Sequence, residues 1–421
     1  MRQTLCNGSL SLIATLVACP AVAEVASLKE NQPPVHSELS FARELKDMFR
    51  FSGFGTLGVA GSDEDRADFV STITQPHGPG YTRDWTAALD SRLGVQLTFL
   101  PTDKFSAVVQ VTTEQEWDNS WEPDIEWAFV QYDLTSNLSI RAGRMVVPLF
   151  MFSEFRKVGF ALPWVRPPGE FYFVPYHTSD GLGVLFKHNF GDVRYTFYGT
   201  YGQDDSRLHE GIHSKWRQGF SLSNTFEYKD TSFRASYSSA KMTFEERDDA
   251  LALFKTFGPQ GDAIYDEFSL RDREYTQLAF GIWHNPGKWF AGGEWSRGFS
   301  DSYIQPGDTW YITSGYRFNK LTPYLMYSKT RRDHGSTPQL SGPPATVGPL
   351  NDFLFALTGP LRQSTITVGT RWDFAENAAF KVQLDHIMTE ENSNSLLWNV
   401  QPDFDFGDSV NVLSFTVDFV F

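Results

Sequence analysis

The C-terminal stretch 410-VNVLSFTVDFVF-421 alternates between apolar and polar side chains along most of its length. One face carries Leu413, Phe415, Val417, Phe419 and Phe421; the opposite face carries Ser414, Thr416 and Asp418. A period of two is that of a β-strand, because successive side chains point to opposite sides of the backbone. The stretch therefore predicts an amphipathic strand, belonging either to a soluble sandwich or to a barrel whose apolar face meets lipid.

The same alternation recurs along the chain in about 16 segments bounded by turn residues. The first lies near Phe49–Ala60, and clear examples follow at 86–100, 105–114, 193–202, 365–374 and 378–387.

The connections between these segments favour the barrel, because they alternate in length. Tight turns are predicted at 101–103, 134–137, 189–192, 228–230, 285–288, 319–320 and 375–377. Long polar connections lie between them, at 61–85, 117–123, 145–178, 203–216, 243–273, 299–308, 331–363 and 388–407. Outer-membrane barrels have short periplasmic turns and long extracellular loops. We predict an all-β, transmembrane antiparallel barrel of about 16 strands over residues 49–421, with a short helix within 248–257.

The composition agrees with this fold class. Aromatic residues make up 15% of the chain, a load that a barrel uses on its lipid face and in its interfacial girdles. The mean hydropathy of −0.33 fits strands that show lipid only every second residue. The net charge of −15 argues against nucleic-acid binding, which needs a basic surface.

The N-terminus has the pattern of a secretory signal over residues 1–23. Arg2 precedes the apolar run 10-LSLIATLV-17, and Ala21-Val-Ala23 supplies the small residues of a cleavage site. A second interpretation takes Cys19 as a lipidated cysteine. Both cysteines, Cys6 and Cys19, lie in this segment, so the processed chain is expected to lack disulfides. Residues 24–48 are predicted to form a periplasmic extension, with a possible short helix from Ser40.

One long connection differs from the others because it is apolar, aromatic and rich in proline. It follows the fifth predicted strand in 138-LSIRAGRMVVPLFMFSEFRKVGFALPWVRPPGEFY-172. A strand ending in Arg141-x-Gly-Arg144, followed by a proline-bearing loop, resembles the Gram-negative outer-membrane porins. The terminal strand ending in Phe421 likewise resembles the assembly signal of bacterial outer-membrane proteins.

The porin resemblance implies that residues 145–178 fold into the barrel and narrow it. The pore-constriction residues are then predicted to be Arg141, Arg144, Glu154, Arg156, Lys157, Arg166 and Glu170. The alternation of the strands adds basic lumen residues, namely Arg92, Lys187, Arg194, Arg234, Arg317, Arg371 and Lys381, and acidic ones, namely Asp90, Glu126, Glu227, Glu294, Asp373 and Asp385. The alternative is that the arginines pair with carboxylates and anchor the loop. The sign of any ion preference stays open, because the loop is basic whereas outer segments such as 62–65 are acidic.

The predicted function is a porin for passive diffusion of small hydrophilic solutes or ions. A substrate-specific channel of the sugar, organic-acid or phosphate type and a non-conducting structural barrel are the alternatives. An enzyme is not expected, because the histidines are scattered and no nucleophile, base and orienting group stand in a recognisable arrangement. We expect no cofactor and no metal. The resemblance implies a homotrimer in the Gram-negative outer membrane, in contact with its lipid and lipopolysaccharide.

Overall fold

The computed structural model describes residues 48–333 and 339–421, apart from 301, 303 and 305. The predicted signal peptide, residues 24–47 of the predicted extension 24–48 and the start of the possible helix at Ser40 lie outside the described residues.

The described chain forms one closed antiparallel barrel. Its 16 strands are β1 Phe49–Ser62, β2 Arg92–Thr102, β3 Phe105–Thr113, β4 Asp124–Asp133, β5 Leu138–Val146, β6 Thr178–Phe190, β7 Val193–Arg207, β8 His213–Tyr228, β9 Thr231–Phe244, β10 Arg273–His284, β11 Trp289–Ser300, β12 Gly307–Tyr316, β13 Leu321–Arg332, β14 Leu361–Trp372, β15 Ala378–Thr389 and β16 Ser409–Val420. Each pairs with its neighbours along the chain, and β16 returns to β1, where Phe54 lies opposite Val420. The two residues Trp85–Thr86 add a short pairing to β1 just before β2. The prediction of an antiparallel barrel of about 16 strands is confirmed.

The two faces of the wall follow the alternation seen in the sequence. On β16, Ser414, Thr416 and Asp418 are buried inside the barrel, whereas Leu413, Phe415 and Val417 lie on the outer face. Large apolar side chains remain exposed around the outside, with Ile312 at 59%, Leu325 at 55% and Val368 at 52% of their surface. An apolar exterior of this extent is the surface that a barrel presents to lipid.

The two rims of the barrel differ in the length of their connections. The short-turn rim carries turns at 103–104, 134–137, 191–192, 229–230, 285–288, 317–320 and 373–377. The opposite, long-loop rim carries the extended connections, as predicted. The connection predicted at 203–216 is shorter, because β7 and β8 continue beyond the wall as a paired hairpin and residues 208–212 alone join them.

Helices occur in the connections of the long-loop rim and inside the barrel. They are α1 Gly169–Tyr172, α2 Glu245–Ala252, α3 Pro259–Phe268 and α4 Pro344–Thr358, with a 3₁₀ turn at Leu253–Phe257 after α2. The helix predicted within 248–257 is thus present, extended by three residues at its start and tightened at its end. None of the helices in the described ranges is both long and apolar enough to cross a membrane.

The main apolar core lies inside the barrel rather than between layers. It joins the segment between β5 and β6 to the inner faces of β10–β13, through Phe152 and Trp164 on the loop and Trp283, Phe290 and Tyr311 on the wall. The helices of the long-loop rim extend the same cluster. One half of the lumen is therefore filled with side chains.

Candidate pore and constriction loop

The constriction loop is defined here as residues 147–177, which join β5 to β6. Its aromatic side chains pack edge-on against the wall: Trp164 lies 5.3 Å from Phe152 and 5.8 Å from Trp283 between ring centroids. The indole Nε1 of Trp164 donates to Thr313 Oγ1 at 3.0 Å, so its polar group is satisfied in the core. Burial of these rings holds the loop against the β10–β13 side of the barrel.

Gly159 sets how closely the loop approaches the opposite part of the wall. A β-carbon at this position would lie 2.1 Å from Asp418 Oδ1 and 2.5 Å from Thr56 Oγ1. Such distances are far below van der Waals contact. A residue without a side chain therefore allows the loop backbone to lie directly on β1 and β16.

Arg166 is the most deeply buried cation of the loop. Its guanidinium bonds both carboxylate oxygens of Asp90, at 2.8 and 2.6 Å, and Asp385 at 2.7 Å. It also donates to Ser414 Oγ at 2.5 Å. Burial alone lowers the pKa of Arg166, but the two carboxylates outweigh it and raise that pKa above its ordinary value. Breaking a buried pair of this kind leaves uncompensated charge, which costs about 3–5 kcal/mol.

Two wall cations hold the loop by its backbone. Lys381, fully buried, donates to the carbonyl oxygens of Gly159 at 2.7 Å and Trp164 at 2.6 Å, and pairs with Asp418 at 2.9 Å. Arg371 donates to the carbonyl oxygens of Phe160 and Leu162, at 2.6 and 2.9 Å. These predicted lumen residues touch the loop rather than line open space.

The acidic residues of the loop are also engaged. Glu154 pairs with Arg234 at 3.0 Å. Glu170 is buried and accepts from the hydroxyls of Ser328 and Thr365 and from the amide of Gln363.

Glu294 on β11 is a buried wall carboxylate that accepts hydrogen bonds from the loop and from the wall. It accepts from the Met151 amide at 2.7 Å and from the hydroxyls of Tyr172 and Tyr311, at 2.8 and 2.7 Å. The loop is therefore hydrogen-bonded to the wall on several sides.

Arg156 and Lys157 lie where the loop meets the open half of the lumen. Arg156 pairs with Glu126 at 2.7 Å, and Lys157 pairs with both Glu126 and Glu114 at 2.7 Å. Arg92 approaches Glu114 at 3.7 Å. Burial lowers the pKa of Lys157, yet the adjacent carboxylates outweigh it and the net shift is upward.

Four of the remaining predicted cations lie in different places. Arg141 points inward from β5, with its guanidinium 4.9 Å from the Phe129 ring and 5.2 Å from the Tyr198 ring. Arg144 shares its strand face with the outward residues of β5 and pairs with Asp180 at 2.8 Å, near the long-loop rim. Arg194 pairs with Glu227 towards the short-turn rim, and Arg317 bonds the 285–289 turn.

Two cavities occupy the half of the lumen that the loop leaves open. The outer cavity, about 570 Å³, lies at the long-loop rim and includes Glu126, Arg156, Lys157 and His177 in its lining. The inner cavity, about 470 Å³, lies at the short-turn rim and is lined by residues including Asp133, Ser139, Arg141 and Lys187. Strands β4, β5 and β6 contribute to both cavities, so the two lie one above the other along the same wall.

The outer cavity also holds acidic residues that the sequence analysis did not single out. They come from the segment 114-EQEWDNSWEPDIE-126, whose acids recur every second to fourth residue: Glu116, Asp118, Glu122 and Asp124. Burial and then the neighbouring Glu114 raise the pKa of Glu116 to about 7. The high density of acidic residues in this connection is the sequence feature from which an acidic lining could have been predicted. Within the described ranges, no group of three or more His, Cys, Asp or Glu side chains is placed to hold a metal ion.

Comparisons with known proteins identify the fold. No protein-family model and no curated protein matches the sequence. Among solved structures, OmpF of Salmonella typhi in complex with daunomycin superposes with a TM-score of 0.53 at 10% identity, covering 88% of this chain and 97% of that one. The outer-membrane channel DcaP of Acinetobacter baumannii gives 0.53 at 13% identity, with coverage of 89% and 97%. An anion-selective porin from Comamonas acidovorans gives 0.50 at 12% identity, with coverage of 89% and 99%. The chain thus has the fold of the outer-membrane porins, a closed antiparallel barrel of 16 strands.

Proposed function

We propose that this protein is a channel of the Gram-negative outer membrane, through which small hydrophilic solutes or ions diffuse passively. One observation carries the proposal. The constriction loop packs inside the barrel against β10–β13, and a charged cavity lies at each rim beside β4–β6. Charged and polar side chains facing a water-filled passage remain hydrated, whereas apolar solutes are rejected.

The proposed path runs from the outer to the inner cavity along β4–β7. We take its constricted section to lie at Arg141, which lines the inner cavity and whose guanidinium lies near the rings of Phe129 and Tyr198. The outer entrance to this section is lined by Arg156, Lys157 and their carboxylate partners. In this arrangement the predicted residues Arg141, Arg156 and Lys157 border the path, whereas Arg166 and Glu170 anchor the loop beside it.

A substrate-specific channel is the second candidate, and the setting of Arg141 favours it. The Nε of Arg141 donates to Gln131 at 2.8 Å while two rings flank the guanidinium, so its position is fixed. A fixed guanidinium is suited to binding two oxygens of a carboxylate or phosphate at once. An anionic solute would bind there, whereas a general diffusion channel would show no saturation.

The surroundings follow from the same proposal. The exposed apolar exterior is placed in outer-membrane lipid, in contact with lipopolysaccharide, after export through a cleaved signal peptide. Three copies are proposed to associate through their apolar walls, each keeping its own pore. Mass determination in mild detergent tests the trimer, and a mass of one chain alone would contradict it.

The proposed function is tested in planar bilayers with the refolded protein. Stepwise increases in conductance indicate a diffusion channel if their size keeps rising with salt concentration and if sugars do not block them. A conductance that small carboxylates or phosphates block, with the block weakened in Arg141→Gln, indicates the substrate-specific alternative. A refolded barrel that inserts but conducts nothing contradicts both.

A further inference from the structure

The charges left without a partner differ between the two cavities. In the outer cavity, Glu116, Asp118, Glu122, Asp124 and Asp204 have no Lys or Arg within ion-pair distance among the described residues. Its six Lys and Arg side chains all have carboxylate partners: Arg92, Arg144, Arg156, Lys157, Arg166 and Arg207. The outer cavity is therefore net acidic.

The inner cavity has the opposite balance. Lys104, Arg141 and Lys187 line it, and within the described part of the chain none of them lies in an ion pair. Two carboxylates, Asp103 and Asp133, face the same space, and Asp133 accepts from the Gln131 amide at 2.9 Å. Three cations against two carboxylates leave this cavity net basic.

We propose that the channel rectifies ionic current, because an acidic and a basic cavity stand in series along one path. This inference rests on the proposed function, since it requires a conducting pore. Cations concentrate in the acidic cavity and anions in the basic one. A potential that is positive on the long-loop side drives both kinds of ion towards the junction near Arg141 and raises the conductance there. The opposite polarity empties the junction and lowers the conductance.

Screening determines when the effect is visible. The Debye length is about 10 Å at 0.1 M salt, so charges lining cavities of this size are poorly screened, and it falls to about 3 Å at 1 M. We expect the current at one polarity to exceed that at the other by about 1.5-fold or more at 0.1 M KCl, and the ratio to approach one at 1 M.

The experiment uses single channels of known orientation in planar bilayers. If the signal peptide is removed as expected, the processed chain has no cysteine, so Thr256→Cys on the long-loop rim can be biotinylated selectively. Streptavidin added to one side of the bilayer then shows which way the channel is oriented. The larger current should flow with the long-loop side positive. The triple variant Asp118→Asn, Glu122→Gln, Asp124→Asn should bring the ratio close to one.

A matched control separates cavity charge from total charge. Asp262→Asn, Asp266→Asn and Glu267→Gln neutralise three exposed carboxylates on α3 that line neither cavity, and should leave the ratio unchanged. The double variant Lys104→Gln, Lys187→Gln removes two positive charges from the inner cavity and should also reduce the ratio of the two currents. A conducting channel with a linear current–voltage curve at 0.1 M salt, or equal effects of test and control variants, overturns the inference while leaving the proposed function intact. Failure to conduct contradicts the proposed function itself.

Discussion

Replacing Arg166 by methionine should release the constriction loop from the wall. The substitution keeps an unbranched side chain and leaves Asp90 and Asp385 buried without their shared cation. An uncompensated buried charge costs about 3–5 kcal/mol. Since each 1.4 kcal/mol corresponds to a factor of ten, the population of the released loop should rise by about two to three and a half orders of magnitude.

Two assays follow the released loop. Single-channel conductance should rise or fluctuate between two levels, because the loop leaves the lumen wall. Trypsin should cleave at Arg156 or Lys157, which are largely covered in the docked loop. The barrel itself should persist, since its strands pair independently of the loop.

A charge-neutral rescue provides the control. Removing both carboxylates together with the cation, in Arg166→Met with Asp90→Asn and Asp385→Asn, replaces the buried ion group by neutral residues, so that no uncompensated charge stays buried. The triple variant should recover the conductance and protease resistance of the parent. A single variant that behaves like the parent, or a triple variant as disturbed as the single one, would refute the role of Arg166 as an anchor.

Four further predictions concern the loop, the outer cavity and the topology. Gly159→Val should displace the loop, because its β-carbon would overlap Asp418 and Thr56; Gly169→Ala, which meets open space, is the control, and equal conductance of the two would contradict this. Cation preference should fall as the pH is lowered from 8 to 6, because Glu116, with a pKa of about 7, loses its charge; the change in reversal potential over this range should be smaller in Glu116→Gln. Arg156→Glu with Lys157→Glu should shift the reversal potential towards cations more than neutralising residues 63–65 does, since confined charges are screened least, and the reverse order would count against the path. A tag near Ser393 should be accessible on intact cells and one near Asn319 should not, because they lie on opposite rims; surface labelling at Asn319 would contradict the orientation.

The barrel could be predicted from the sequence because its physical cause is local. One side of each strand faces lipid, so apolar and polar residues alternate along the sequence in 410–421 and in the corresponding strands. The lengths of the connections then fix which ends share a rim. The hairpin of β7 and β8 was underestimated, since polar strands beyond the membrane lack the apolar alternation that marks the wall.

The candidate site could be predicted only in part, because partners far apart in sequence decide what each charge does. The composition of the loop indicated that it is buried, but nothing local to Arg166 indicates that Asp90 and Asp385 meet it, 76 and 219 residues away. Arg141 and Arg166 have the same chemistry in the same segment, yet one faces aromatic rings near a cavity and the other is enclosed by carboxylates. The acidic residues of the outer cavity could be read from the sequence, but their grouping in one cavity could not. The cavity forms only when 114–126 and the β7–β8 hairpin come together.

The most direct test of the proposed path is cysteine modification during conductance recording. Ser139→Cys lines the inner cavity and Ser120→Cys the outer one, whereas Ser296→Cys points inward from β11 into the packed half and is buried. A charged methanethiosulfonate reagent should change the conductance of the first two variants within seconds to minutes and leave the third unaffected. Modification of Ser296→Cys with block of the current, while the other two react without effect, would show that ions pass on the other side of the constriction loop.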